Sequence, residues 1–220
     1  MKLLVWLTVA LAAILDAIVP LRARAARTRE RKPEDIPLAP TTHKLLGVNI
    51  TTLMDYKNPA AQDLIQSLKY DGSAFAANLA ATVLADYLRE EIAAEKQFST
   101  KKILLVPIPL HASRARERGY NQIAIVLRAL PPDMRDGTIA TLAPDTLMRV
   151  RATRQQTKLP RSERLSNVAG AFAASDSATF KKTHVFLFDD VTTTGATLAN
   201  AAQPLRRAGA KVSLIALARA

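Results

Sequence analysis

The sequence predicts an α/β fold with a mostly parallel central sheet, and three observations carry that expectation. Apolar runs at 103–109, 185–188 and 211–218 have the uninterrupted character of strands buried on both faces. Segments of helical period separate them, at 121–130 and 195–207. Strands that alternate with helices in this way stack as a sheet with helices on both faces. No internal repeat or heptad pattern competes with this reading.

Taken in chain order, Lys2 precedes an apolar run from Leu3 to Val19 broken by Thr8 and Asp16. A signal peptide or membrane anchor is one reading. The acid inside the run and the short span favour an amphipathic or packing helix, while the arginines that follow would satisfy the positive-inside rule for an anchor with its body in the cytoplasm. The expected location is cytoplasmic, with residues 3–19 as the route to any inner-face membrane association. Residues 22–42 are rich in Arg, Pro and Thr without an apolar period, the composition of a linker. The expected organisation is an N-terminal apolar helix and basic linker over 1–42, then one main domain over 43–220.

Within that domain, Leu64, Ile65 and Leu68 share one face of a helix over 58–70, which Asp71-Gly72 breaks. A second helix resumes through Phe75, Leu79, Val83, Leu84, Tyr87, Leu88 and Ile92. The strand at Ile103–Pro109 is bounded by prolines, and the helix from Asn121 to Leu130 is stopped by Pro131-Pro132. Leu147–Val150 is a weak strand and Val185–Phe188 a strong one; Gly195–Arg207 is a helix ended by Gly209, and Lys211–Ala218 the last strand.

The 220 residues, 49% hydrophobic, can bury one good core. The absence of cysteine excludes disulfides, thiolate zinc sites and cysteine nucleophiles, and His43, His111 and His184 are too scattered for a metal cage. Zinc is therefore not expected. The formal net charge of +12 resides entirely in residues 20–32, 111–122 and 149–164, the remainder being neutral. Phosphates, nucleic acid or an anionic membrane are the partners such clusters suit.

The strongest motif is Val185-Phe-Leu-Phe-Asp-Asp-Val-Thr-Thr-Thr-Gly-Ala-Thr197. A parallel strand delivers Asp189 and Asp190 to the carboxyl edge of the sheet, where open α/β folds bind ligands. Carboxylates accept hydrogen bonds from vicinal sugar hydroxyls, directly or through hydrated magnesium. After Val191 and Thr192, the hydroxyls and backbone N–H groups of Thr193, Thr194, Gly195, Ala196 and Thr197 open a helix, where a phosphate is favoured. Any one of these residues could merely cap the helix; the whole string suits a ribose 5-phosphate.

Two arginine-rich loops accompany it. Residues 106–122 join a buried strand to a helix through Arg114, Arg116 and Arg118, forks suited to a pyrophosphate. Residues 149–167, which include Arg151, Thr153, Gln156 and Arg164, have the character of a mobile lid able to close over a leaving group. The alternative for both is a solvated basic surface or a nucleic-acid patch.

The Asp189 string resembles the signature of type I phosphoribosyltransferases. Together with Pro107-x-Pro109, Arg118-Gly-Tyr-Asn-Gln122, Arg151-x-Thr153-x-x-Gln156-x-x-Leu159, Glu163-Arg164-x-x-Asn167 and Ala171-Phe172, it resembles the ComF family. Weaker matches at Leu15-Asp16 with Pro20, Tyr56 and Lys69-Tyr70-x-Gly72 extend the likeness over nearly the whole chain. The resemblance implies a type I phosphoribosyltransferase-like fold and a role in DNA uptake and competence. It implies Asp189 and Asp190 at a ribose, residues 193–197 around its 5-phosphate, and Arg114, Arg116 and Arg118, with Lys69 nearby, at pyrophosphate. Phosphoribosyl pyrophosphate with Mg2+ would be the ligand, and the activity, if retained, that of a glycosyltransferase passing the phosphoribosyl group to an acceptor. The family's four-cysteine zinc module has no counterpart in the arginine-rich stretch Leu21–Pro40. The competing function is a non-catalytic factor that binds single-stranded DNA on the same basic surfaces, for which Tyr120 and Phe172 are the aromatic residues close to the clusters.

Overall fold

The computed structural model describes residues 23–110, 115–116, 118–151, 170–175 and 180–220. The apolar segment 3–19, Arg114, and the lid residues Thr153, Gln156 and Arg164 lie outside them. A short helix α1 (Ala23–Arg29) leads to a hairpin of β1 (Thr41–Leu45) and β2 (Val48–Asp55). Helix α2 (Pro59–Gln66), a π-helical turn at Ser67–Asp71 and the long α3 (Ala74–Phe98) follow. The chain continues through β3 (Lys102–Pro107), α4 (Gln122–Ala129), β4 (Thr141–Leu142), β5 (Leu147–Arg149) and β6 (Phe172–Ala174). It ends with β7 (Thr183–Thr192), α5 (Ala196–Arg207) and β8 (Lys211–Arg219).

Six strands form one sheet in the order β1-β2-β8-β7-β3-β4. Every pairing is parallel except the β1–β2 hairpin. Period-two alternation divides the central strands between two cores. Ile103, Leu105, Phe186, Phe188, Ile215 and Leu217 pack with α2, α3 and α4. Leu104, Val106, Val185, Leu187, Leu214 and Ala216 pack with Leu198, Ala201, Ala202 and Leu205 of α5 and with Phe172 and Phe180. The expected α/β class, a mostly parallel sheet flanked by helices, is what the described residues form.

Three features differ from the sequence expectations. The β1–β2 hairpin carries no strong alternation; its two-residue turn, Leu46-Gly47, has both residues at positive φ, which matches the twist of the flanking strands. β6 forms a separate antiparallel ladder with β5, which sets Arg149 level with Phe172. The reading of 22–42 as a linker is corrected in part. α1 is folded against the domain, Ala25 and Ile36 are buried, and Arg24, Arg27 and Arg31 pair with Asp71 and Asp63. Composition hides this packing because these cations find carboxylates more than 30 residues away in sequence.

Among the described residues, no helix is long and apolar enough to cross a membrane. The end of the sheet opposite the carboxyl edge is tied by Glu95 of α3, which meets Lys211 and lies 3.3 Å from Nδ1 of the buried His184. Burial pushes the His184 imidazole down to about 4, against the pull of Glu95.

Candidate functional site

Parallel pairing gathers the carboxyl ends of β2, β3, β7 and β8 at one edge. Pro107 is level with Phe188, and Thr192 with Arg219, which is in turn level with Asp55. β7 extends through the acidic pair to Thr192, so Asp189, Asp190, Val191 and Thr192 belong to the strand and the turn begins at Thr193. Strand alternation then sends the two carboxylates to different neighbours. Asp190 follows Phe186 and Phe188 toward α4, where Gln122 Nε2 donates to its Oδ2 and Lys69 Nζ lies 3.1 Å from the same oxygen. Its other oxygen, Oδ1, accepts from the Val191 backbone N–H. Asp189 accepts from the Asp190 backbone N–H at 2.9 Å. Burial, and then the charge of Asp190, push the Asp189 carboxyl up to about 7, with Lys69 and Arg149 pulling the other way.

The helix start is shaped by backbone geometry. Gly195 has φ +80°, and a Cβ there would lie 2.6 Å from Ile50 Cδ1 and 3.0 Å from Leu45 Cβ. Glycine lets the turn sit directly on the β1–β2 hairpin before α5 begins. Thr194 Oγ1 accepts from the Ala196 N–H at 3.4 Å. The amides that open α5 thus follow the acidic strand end immediately, as a phosphate cradle requires.

The segment 118–122 locks the arginine loop to this edge. Gly119 turns the chain at φ +76°. The Tyr120 hydroxyl donates to the Lys69 carbonyl at 3.1 Å, and its ring lies 3.0 Å from where a Cβ on Gly72 would stand. Asn121 caps α4 by accepting from Ile123 and Ala124, and its amide donates to the Ile108 carbonyl. Arg118 donates to Gln122 Oε1 at 2.7 Å. Arg118 and Arg24 also lie 5.9 and 5.2 Å from the centroid of the Tyr70 ring, which is 60% exposed.

The structure therefore brings together Asp189, Asp190, Lys69, Arg118 and the turn 193–197. Arg116 is exposed on the loop, and Arg151 is exposed just beyond β5. Where β5 and β6 pair, Arg149 stacks 5.2 Å from the Phe172 centroid, and the Val150 N–H donates to the Ala171 carbonyl. Sequence reasoning assigned no functional role to Gln122, read Asp71 only as part of a helix break, and overlooked Tyr70 as an aromatic beside the arginines. Tyr70 is near both arginine clusters only through tertiary folding, so Tyr120 and Phe172 are not the full set. The basic cluster at 20–32 also offers fewer cations to an external anion than its charge suggests, since Arg24, Arg27 and Arg31 are engaged by Asp71 and Asp63.

Fold and site define an α/β protein with an acidic strand end feeding a glycine-containing helix start. Comparison with known proteins gives the kinship. The chain is 31% identical over 166 residues to Competence protein ComFC of Streptococcus pneumoniae, covering 76% of this chain and 66% of that protein. It is 31% identical over 162 residues to DNA utilization protein YhgH of Salmonella typhimurium, covering 73% and 67% respectively. Competence protein F of Haemophilus influenzae is 32% identical over 118 residues, 53% of this chain and 50% of that protein. The chain belongs to the ComF family, and the matches span between 50% and 67% of the length of these relatives. No family model matches it. Among solved structures, adenine phosphoribosyltransferase from Saccharomyces cerevisiae aligns over 86% of this chain and 88% of its own, at 13% identity and a TM-score of 0.35.

Proposed function

We propose that this protein binds phosphoribosyl pyrophosphate or a related ribose phosphate at the carboxyl edge of the sheet, in a role connected with DNA uptake. The observation that carries the reading is the continuity of Asp189-Asp190 with the Gly195 turn and the start of α5, flanked by Lys69 and Arg118. Carboxylates suit the ribose hydroxyls, the helix start suits the 5-phosphate, and the cations suit the pyrophosphate. The relatives are competence and DNA utilization proteins, which supports the cellular role.

Magnesium fits this donor set. Two adjacent carboxylates at the carboxyl edge suffice for an ion that keeps most of its waters and takes its other oxygens from the ligand, and the Asp189 carboxyl, raised by burial and then by the charge of Asp190, favours added positive charge beside it. Asp189 and Asp190 would hold it, and it would supply charge neutralisation at the pyrophosphate. Transfer in such a site would break the bond from the anomeric carbon to pyrophosphate and form one to a nitrogen acceptor, through an oxocarbenium-like state. Arg116 and Arg118, with Arg114 and the lid residues Arg151, Thr153, Gln156 and Arg164, would bind and shield the departing pyrophosphate. None of these side chains is assigned as a general base.

Calorimetry with phosphoribosyl pyrophosphate and Mg2+ tests the reading. Asp189→Asn is the sharper variant, because Asp190 also holds Lys69 and Gln122 in place. Saturable binding by the native protein, weakened at least about tenfold in a folded Asp189→Asn protein, is expected from loss of a charged hydrogen-bond acceptor. Equal binding by both proteins would remove the acidic pair from the site.

A second reading is favoured by one observation, the exposed Tyr70 ring between Arg24 and Arg118. An aromatic ring among guanidinium groups is the composition of a single-stranded DNA site. Affinity that falls steeply with salt and drops in Tyr70→Ala would support it.

A further inference from the structure

Gln122 is buried, at 5% exposure, between two groups that make opposite demands. Asp190 Oδ2 offers only lone pairs and receives the Nε2 N–H, while Arg118 offers only N–H groups and donates to Oε1 at 2.7 Å. The amide is therefore held in one orientation by its partners. A carboxylate here would face Asp190 with a second acceptor, an ammonium would face Arg118 with a second donor, and an apolar side chain would leave both neighbours without this partner in a site where Asp190 is 7% exposed. Asparagine is one carbon shorter, and position 121, next to it, is already used as the cap of α4.

Through this amide the contacts close into a ring. Asp190 meets Lys69; the turn that carries Lys69 presents Tyr70 to Arg118; Arg118 meets Gln122, and Gln122 returns to Asp190. The Tyr120 hydroxyl on the Lys69 carbonyl pins the same turn from the other side. We infer that Gln122 is a positioning residue: its amide couples the arginine loop to the acidic strand end and sets where the Arg118 guanidinium stands relative to Asp190 and Lys69. The inference rests on the ribose-phosphate reading for the identity of the ligand, but not for the ring of contacts.

Two measurements test it. Without ligand, thermal midpoints are compared for Gln122→Glu, Asp190→Asn and the double exchange, which restores one carboxylate and one amide with their order reversed. Each single variant is expected to lower the midpoint by several degrees, about what loss of a buried charged hydrogen bond produces, and the double variant to recover most of it. Additive losses would overturn the coupling. With ligand, Gln122→Met, which keeps the length and removes both hydrogen bonds, is expected to bind phosphoribosyl pyrophosphate with Mg2+ at least about tenfold more weakly at a temperature where it is folded. Native affinity in that variant would overturn the positioning role. A native protein that binds no phosphoribosyl pyrophosphate would sink the ligand reading, and the midpoints alone would then decide the coupling.

Discussion

Asp189 and Asp190 are adjacent in sequence and unlike in situation. Asp190 is held by an ammonium, an amide and a backbone N–H, whereas Asp189 is raised to about 7 chiefly by burial and by its neighbour's charge. Because its native pKa lies above the unfolded value, Asp189 costs nothing below about pH 4, where it is protonated in both states. Its cost grows between about pH 4 and pH 7 as the unfolded chain ionises first. Asp189→Asn is accordingly predicted to stabilise the protein above pH 7, by on the order of 1–3 kcal/mol, and to do little at pH 4. Urea denaturation at the two pH values reads this directly.

At the scale of elements, the join between β7 and α5 depends on one glycine. Gly195→Ala must place a Cβ against Ile50 Cδ1 at positive φ, and a loss of about 1–3 kcal/mol is predicted from strain and contact together. Adding Ile50→Val removes the nearest atom struck and should recover the Ile50 share of the contact, but neither the Leu45 contact nor the backbone part, which chemical denaturation of the two variants separates. The short α1 makes a second case. Seven residues do not hold a helix on their own, so its place rests on Arg24, Arg27 and the buried Ala25. The bidentate Arg24–Asp71 pair, with both side chains less than one-fifth exposed, should show a coupling of roughly 1 kcal/mol or more in a double-mutant cycle, above the usual surface pair.

Across the whole molecule, the two ends of the sheet divide the work. The carboxyl edge gathers the candidate site, and the opposite end holds the His184, Glu95 and Lys211 cluster. His184 is depressed to about 4 by burial, so the stability tied to its neutral form is full above about pH 6.5 and is lost as pH falls toward 4, since the unfolded chain takes up the proton first. A fall of roughly 2–3 kcal/mol over that window is predicted, flattened in His184→Gln, which retains a hydrogen-bonding end for Ser213. Net charge acts at the same scale. Although the chain carries +12, three arginines of the first cluster are satisfied internally, so the salt dependence of any DNA binding should report fewer phosphate contacts than the basic residues suggest.

The amino-acid sequence by itself determined the α/β class, because long apolar runs and helical periods are local signals that burial on two faces requires. It also determined where the acidic pair and the glycine turn fall, since strand, carboxylates, hydroxyls and helix are consecutive. Family kinship was legible for the same reason, in short motifs such as Arg118-Gly-Tyr-Asn-Gln122. Tertiary structure alone decided which partners those residues take. That Asp190 pairs with Lys69 and Gln122, that Tyr70 stands between arginines from two distant segments, and that Arg24, Arg27 and Arg31 serve α1 are all contacts across dozens of residues. No local pattern encodes them, because the parallel sheet brings together strand ends that are far apart along the chain, and the chemistry of the edge is set by what meets there.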